Sequence, residues 1–189
     1  EMSHSKPSIA IVTDSGCDVL YDSHNSNIHM VPVRYSFGDV EYLDKISQSS
    51  EEFYNELISN PMHPKTSQPP TGDFISMYKE LASNYKSIIS IHIPNKLSGT
   101  LQSCRNAIKK IEGTQITSID SKSASVGLGL IVQSASQLSE KINDHDTLVN
   151  KIEHLIKNTK IFLTVNNINF AIRGGRVPKY KGYIAKLLH

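Results

Sequence analysis

The sequence predicts an α/β domain built on a mostly parallel sheet with helices on both faces. Two observations carry that expectation. Short apolar runs rich in β-branched residues alternate along the chain with segments of helical periodicity. The stretches between successive runs are long enough for right-handed crossovers that return the chain parallel to itself. No repeat or low-complexity tract interrupts the alternation.

The elements follow in order. Residues 1–7 have no apolar core of the signal-peptide kind and are expected to be a disordered leader. Ser8-Ile9-Ala10-Ile11-Val12, stopped by Thr13-Asp14-Ser15-Gly16, reads as a buried strand. Met30 to Phe37 alternates more and carries Pro32, which suits an outer strand, and Gly38-Asp39 turns the chain. Ser50-Glu51-Glu52-Phe53 opens a helix with a hydroxyl cap and acids in its first turn, striped by Phe53, Leu57 and Ile58. A Pro-, Thr- and Ser-rich loop spans Pro61 to Gly72. Phe74, Met77, Tyr78 and Leu81 then make one helical face.

Ile88 to Ile93 is a second buried strand, closed by Pro94-Asn95, and Leu101, Cys104, Ile108 and Ile111 mark the helix after it. Gln115 to Ile119 is a strand ending in Asp120-Ser121. Ser125 to Ile142 is an apolar helix in which Gly127 and Gly129 allow close packing. Asp146 caps a helix striped by Leu148, Ile152 and Leu155, and Lys160 to Val165 is a last strand. The α/β domain is thus expected to occupy 8–165. From Asn166 the pattern changes to Ile172-Arg173-Gly174-Gly175-Arg176 and a short helix, so 166–189 is expected to be a junction with the truncated start of a second domain.

Composition narrows the function. With 189 residues, 38% of them hydrophobic and 20% charged, the chain needs no disulfide or metal to fold. Its net charge of +2, from 20 basic and 18 acidic residues, points to neither nucleic acid nor an anionic membrane. No apolar stretch long enough for a membrane span exists, so membrane contact is expected to be peripheral or none. Cys17 and Cys104 form no CxxC pair, which makes a reduced, cytoplasmic setting the default. The eight histidines show no ligand spacing, and no Walker-type loop is present.

In an open α/β sheet, ligands bind beyond the carboxyl ends of the strands. Hydroxyls gather there: Thr13 and Ser15, Ser98 and Thr100, Ser121 and Ser123, with Thr66 and Ser67 from the Pro-rich loop. Ser98-Gly99-Thr100 falls where a helix begins, and free N–H groups there favour an anion that Gly99 lets approach. The set suits a carboxylate or phosphate held by neutral hydroxyls; the plainer alternative is that each hydroxyl only caps a helix or forms a turn. Asp14 is expected to shape the turn after the first strand, and Cys17 to be a turn or packing residue. Arg176, after two glycines, is a candidate donor fork for an anion. An enzymatic alternative, a small phosphotransferase or hydrolase using the same anion pocket, would make Asp14 essential.

Five motifs in order resemble the DegV family: Ile11-Val12-Thr13-Asp14-Ser15, Lys65-Thr66-Ser67-Gln68-Pro69, Leu97-Ser98-Gly99-Thr100 with Gln102-Ser103, Ile119-Asp120-Ser121-Lys122-Ser123-Ala124-Ser125 with Gly127, and Arg173-Gly174-Gly175-Arg176-Val177. The resemblance implies a non-catalytic, two-domain carrier of long-chain fatty acid, with the acyl chain in an apolar tunnel. By the same resemblance the carboxylate is bound by Thr66 and Ser98, with Arg176 near the head group, and no cofactor or metal is needed. A separate ATP-dependent fatty acid kinase is the implied partner, making acyl phosphate for phospholipid synthesis. Two departures stand out. Pro70 replaces the Ser with which the Thr-Ser-Gln-Pro loop usually continues. The carboxy-terminal domain, which covers part of the tunnel, is expected to be missing, leaving half a site or one covered by association with another copy.

Overall fold

Six consecutive buried residues make β1 (Ile9–Asp14), and their side chains divide by parity. Ile9 and Ile11 join one apolar cluster, with Leu128, Ile131 and Ile152; Ala10 and Val12 join another, with Phe74, Tyr78 and Cys104. A strand buried on both faces is what a continuous apolar run implies, because successive side chains point to opposite faces. The computed structural model describes residues 8–18, 26–164 and 169–177. The expected leader at 1–7 and most of the expected junction lie outside the described residues.

The main sheet has the order β2 (Ile28–Val31), β1, β6 (Ser87–His92), β7 (Gln115–Asp120), and all its pairs are parallel. One face is covered by α2 (Thr71–Ala82) and α3 (Thr100–Ile108), the other by α4 (Ser125–Ser139) and α5 (His145–Asn158). Ile88, Ile89 and Ile91 of β6 are fully buried like their β1 neighbours, and each such side chain contributes about 1.5–3 kcal/mol over exposure. The expected doubly covered parallel sheet is therefore the observed fold.

Several expectations need correction. The outer strand breaks at Pro32, which has no N–H for a ladder. Ile28–Val31 stays in the main sheet, whereas β3 (Arg34–Phe37) starts a second, antiparallel sheet with β4 (Val40–Leu43) and β5 (Lys65–Ser67). Gly38 at φ 58° makes the two-residue β3–β4 turn. The supposed loop from Pro61 to Gly72 thus contains a strand and the start of α2. On α1 (Ser50–Ser59) the cap is Ser49, not Ser50: Ser49 Oγ accepts from Glu52 N, and Glu52 reaches back to Ser49 N. Its apolar stripe ends at Leu57, since Ile58 is 84% exposed. Asp144, not Asp146, caps α5 by accepting from Thr147 N.

The last predicted strand is not formed among the described residues. Lys160–Thr164 pairs with no strand, and Val165 lies outside the described residues. Phe162 and Leu163 are exposed, so the run has strand-like residues without the half-buried surface that strand propensity reflects. The short helix expected after Arg176 falls on 178–189, outside the described residues; a helix that was not foreseen, α6 (Asn169–Arg173), precedes the glycine pair.

Candidate ligand-binding site

The sheet brings its functional side chains to its carboxyl edge, but it treats them differently. Thr13 is completely buried and its Oγ1 makes no hydrogen bond. Ser15 and Ser121 are also buried, but their hydroxyls serve the backbone. Ser15 Oγ accepts from Val33 N at 3.0 Å; Ser121 Oγ donates to Ser123 O at 2.7 Å and accepts from Ser123 N. Ser121 is a turn former in this arrangement, whereas Ser15 ties the end of β1 to the β2–β3 connection. Ser123 Oγ is buried without a partner.

At the start of α3, Ser98 Oγ lies 2.8 Å from Thr100 Oγ1 and accepts from Thr100 N at 3.2 Å. Thr100 is fully buried and Ser98 half-buried, so Ser98 is the hydroxyl that solvent or a ligand reaches. Gly99 lies directly under the Gln68 side chain, whose amide occupies the place a Cβ would take. Glycine at this position joins the Thr66-Ser67-Gln68 segment to the Ser98-Gly99-Thr100 segment.

Thr66 and Ser67 are exposed on β5, where Thr66 pairs in register with Tyr35. Thr66 lines an open groove of 600 Å³ together with His63, Lys65, Phe170, Arg173 and Arg176. Three cationic side chains share this groove and no carboxylate lines it among the described residues, so its field favours an anion. Arg176 is exposed and donates through Nη1 to Gly174 O, which leaves other guanidinium donors to face the groove. His63 stacks on Phe170 with centroids 5.4 Å apart, and its Nδ1 is buried without a hydrogen bond.

Beneath these loops lies a buried polar chain that the sequence did not reveal. Asp14 Oδ2 is 2.9 Å from His92 Nδ1, and His92 Nε2 is 2.7 Å from Ser90 Oγ. Ser90 Oγ is 2.7 Å from Tyr78 OH, which lies 3.0 Å from Cys104 Sγ. Asp14 also accepts from Gly16 N and Ile93 N, so it does shape the turn after β1 as expected. Burial opposes the His92 charge, but the contacts with Asp14 and Cys104 outweigh it and hold the imidazole pKa up at about 9. Burial pushes the Cys17 thiol up to about 11, consistent with a packing residue.

Among the described residues no group of three or more His, Cys, Asp or Glu could hold a metal, and no helix is long and apolar enough to cross a membrane.

The family model of the uncharacterised proteins of the DegV family matches residues 8–189. The chain belongs to the DegV family. A DegV domain-containing protein of Staphylococcus aureus strain MRSA252 is 39% identical over 179 residues, covering 94% of this chain and 63% of the relative. Two solved structures are similar across nearly the whole chain. One, described by its fatty acid binding, is a DegV family protein from Thermus thermophilus, with a TM-score of 0.84 and 29% identity over 96% of this chain and 65% of that one. The other is DegV, a fatty acid binding protein from Bacillus subtilis, with a TM-score of 0.82 and 27% identity over 95% and 64%. This DegV chain therefore spans just under two thirds of the length of these relatives.

Proposed function

We propose that this chain holds a long-chain fatty acid by its carboxylate and presents it to a separate ATP-dependent fatty acid kinase for phospholipid synthesis. Thr66 and Ser98 anchor the carboxylate, Thr100 and the Gly99 N–H assist, and Arg176 balances the charge. The chain itself acts as a carrier rather than a catalyst. The observation that carries the reading is the groove that Thr66 shares with Arg173 and Arg176, in which no carboxylate lies among the described residues. Support also comes from the fatty acid binding of the Thermus thermophilus and Bacillus subtilis relatives. Burial of the acyl chain would supply most of the affinity, at about 0.8 kcal/mol per methylene, and the hydroxyls would set orientation.

Phosphotransfer or hydrolysis through Asp14 finds no support in its surroundings. Asp14 is completely buried, and its oxygens are engaged by Gly16 N, Ile93 N and His92. The deciding experiment extracts the purified protein with organic solvent and identifies bound lipid by mass spectrometry. A stoichiometric long-chain fatty acid is expected. In the Thr66→Ala, Ser98→Ala double variant, two hydrogen bonds to a charged group are lost, and affinity should fall by roughly 100-fold. Unchanged affinity in that variant would remove the head-group assignment.

A further inference from the structure

The polar chain under the sheet edge reaches two parts of the candidate site, the backbone that leads to Ser98 and the helix that follows the Thr66 segment. Asp14 lies at the end of β1, beside Thr13 and Ser15. Through Oδ2 it holds Ile93 N, the first amide beyond β6. From there, Pro94 O accepts from both Leu97 N and Ser98 N, so the path from Asp14 to the Ser98 hydroxyl runs through backbone fixed at each step. On the other side of Ser98-Gly99-Thr100, Cys104 lies one turn into α3 and meets Tyr78 OH. Tyr78 belongs to α2, the helix that directly follows the Thr66-Ser67-Gln68 segment. His92 and Ser90 close the chain between these two ends.

Five polar side chains with no exposure to solvent, linked at 2.7–3.0 Å, are costly to bury unless each is satisfied. We propose that Asp14 and His92 are positioning residues for the anion-binding loops, and that the charge on His92 sets the geometry of Ser98-Gly99-Thr100. This rests on the reading that those loops hold a carboxylate. Losing the imidazolium proton weakens the hold of Asp14 on His92, and Asp14 is the group that fixes Ile93 and Gly16.

The groups facing His92 are few. Asp14 comes from β1, Tyr78 and the edge-on Phe74 ring from α2, Cys104 from α3, and Ser90 from its own strand. Asp120 stands in register on β7, but its carboxylate is engaged by Lys122 and Asn95 N. Cys104 is itself titratable. The contact with His92 holds its thiol below the ordinary range despite burial.

The test follows the Gly99 Cα and Thr100 methyl resonances by carbon-detected NMR as the full chain is taken from pH about 6 to about 10. Both should move with the midpoint of the His92 ring itself. In His92→Gln they should hold still, and in Cys104→Ser they should still move, with a midpoint that falls along with that of the ring because Cys104 no longer helps hold the imidazole up. Flat resonances while the ring titrates, or the same movement in His92→Gln, overturns the proposal; should His92→Gln fail to fold, the wild-type profile alone decides. Palmitate affinity, measured in parallel, should fall about tenfold across the same range in wild type and stay level in His92→Gln. Resonances that move in a protein that never binds palmitate would overturn the fatty-acid reading and leave the positioning role standing. Palmitate bound equally at every pH, with flat resonances, would do the reverse.

Discussion

Gly99 illustrates how one residue joins two motifs. A Cβ there would overlap the amide of Gln68, the far end of a flexible side chain, so Gly99→Ala should displace Gln68 without straining the core. Stability is expected to change by less than about 0.5 kcal/mol in thermal melts, whereas on the proposed reading affinity for a fatty acid drops, because Gln68 no longer links the Thr66 segment to the start of α3. A large melting shift would mean that Gly99 is needed for packing instead. His92 carries a second prediction, and its sign is definite. Its pKa is raised from 6.5 to about 9, so its stabilisation is complete below about pH 6.5 and lost as pH rises through about 9. Cys104, held low, titrates with the opposite sign. The melting temperature of Cys104→Ser should therefore still fall, over a window moved to lower pH because Cys104 helps hold the imidazole up, and that of His92→Gln should not. A fall of equal size in His92→Gln would assign it to another group. The turn role of Asp14 was legible because Thr13-Asp14-Ser15-Gly16 is a local pattern; its pairing with His92 was not, because it spans 78 positions and has no local signature.

Legibility changes at the level of elements. β1 and β6 were readable as continuous apolar runs and α2 by its helical periodicity, because burial wrote both patterns into the sequence. β5 was not, since all of its residues are exposed and it exists through its ladder with β3 alone. That matters for the site, because this ladder is what fixes Thr66. α1 lies between these cases. It buries no residue completely, and ten residues are marginal for an isolated helix. Phe53 against Tyr35 and Phe37 and the capping box at Ser49 and Glu52 hold it in place. Ser49→Ala should cost about 1 kcal/mol, seen first as faster amide exchange in the α1 backbone. Equal protection in wild type and variant would show that the aromatic contacts suffice. Glu52 marked this cap, and reading it required only that the hydroxyl be placed three residues before it instead of two.

At the scale of the molecule, two apolar clusters on opposite faces of one parallel sheet account for most of the core, and the alternation of elements was enough to foresee that architecture. The surface was less legible, because hydrophobic pattern does not say which apolar residues remain uncovered. Ile161 packs near Gly127, which brings the segment ending in Phe162 and Leu163 beside the start of α4. Phe162 is 91% and Leu163 67% exposed there, and Val126 and Leu130, one turn apart on α4, are more than half exposed. Apolar residues grouped in this way favour association in water. The 189-residue chain is therefore expected to self-associate on concentration, and sedimentation velocity across a dilution series would follow it. Replacing Phe162 and Leu163 together by Ser should shift the boundary to monomer, whereas Ile58→Ser, an exposed apolar residue on α1, should leave it unchanged. A monomer at every concentration would mean that this surface is too small or too broken to bring two copies together, and equal effects of the two changes would locate the contact elsewhere.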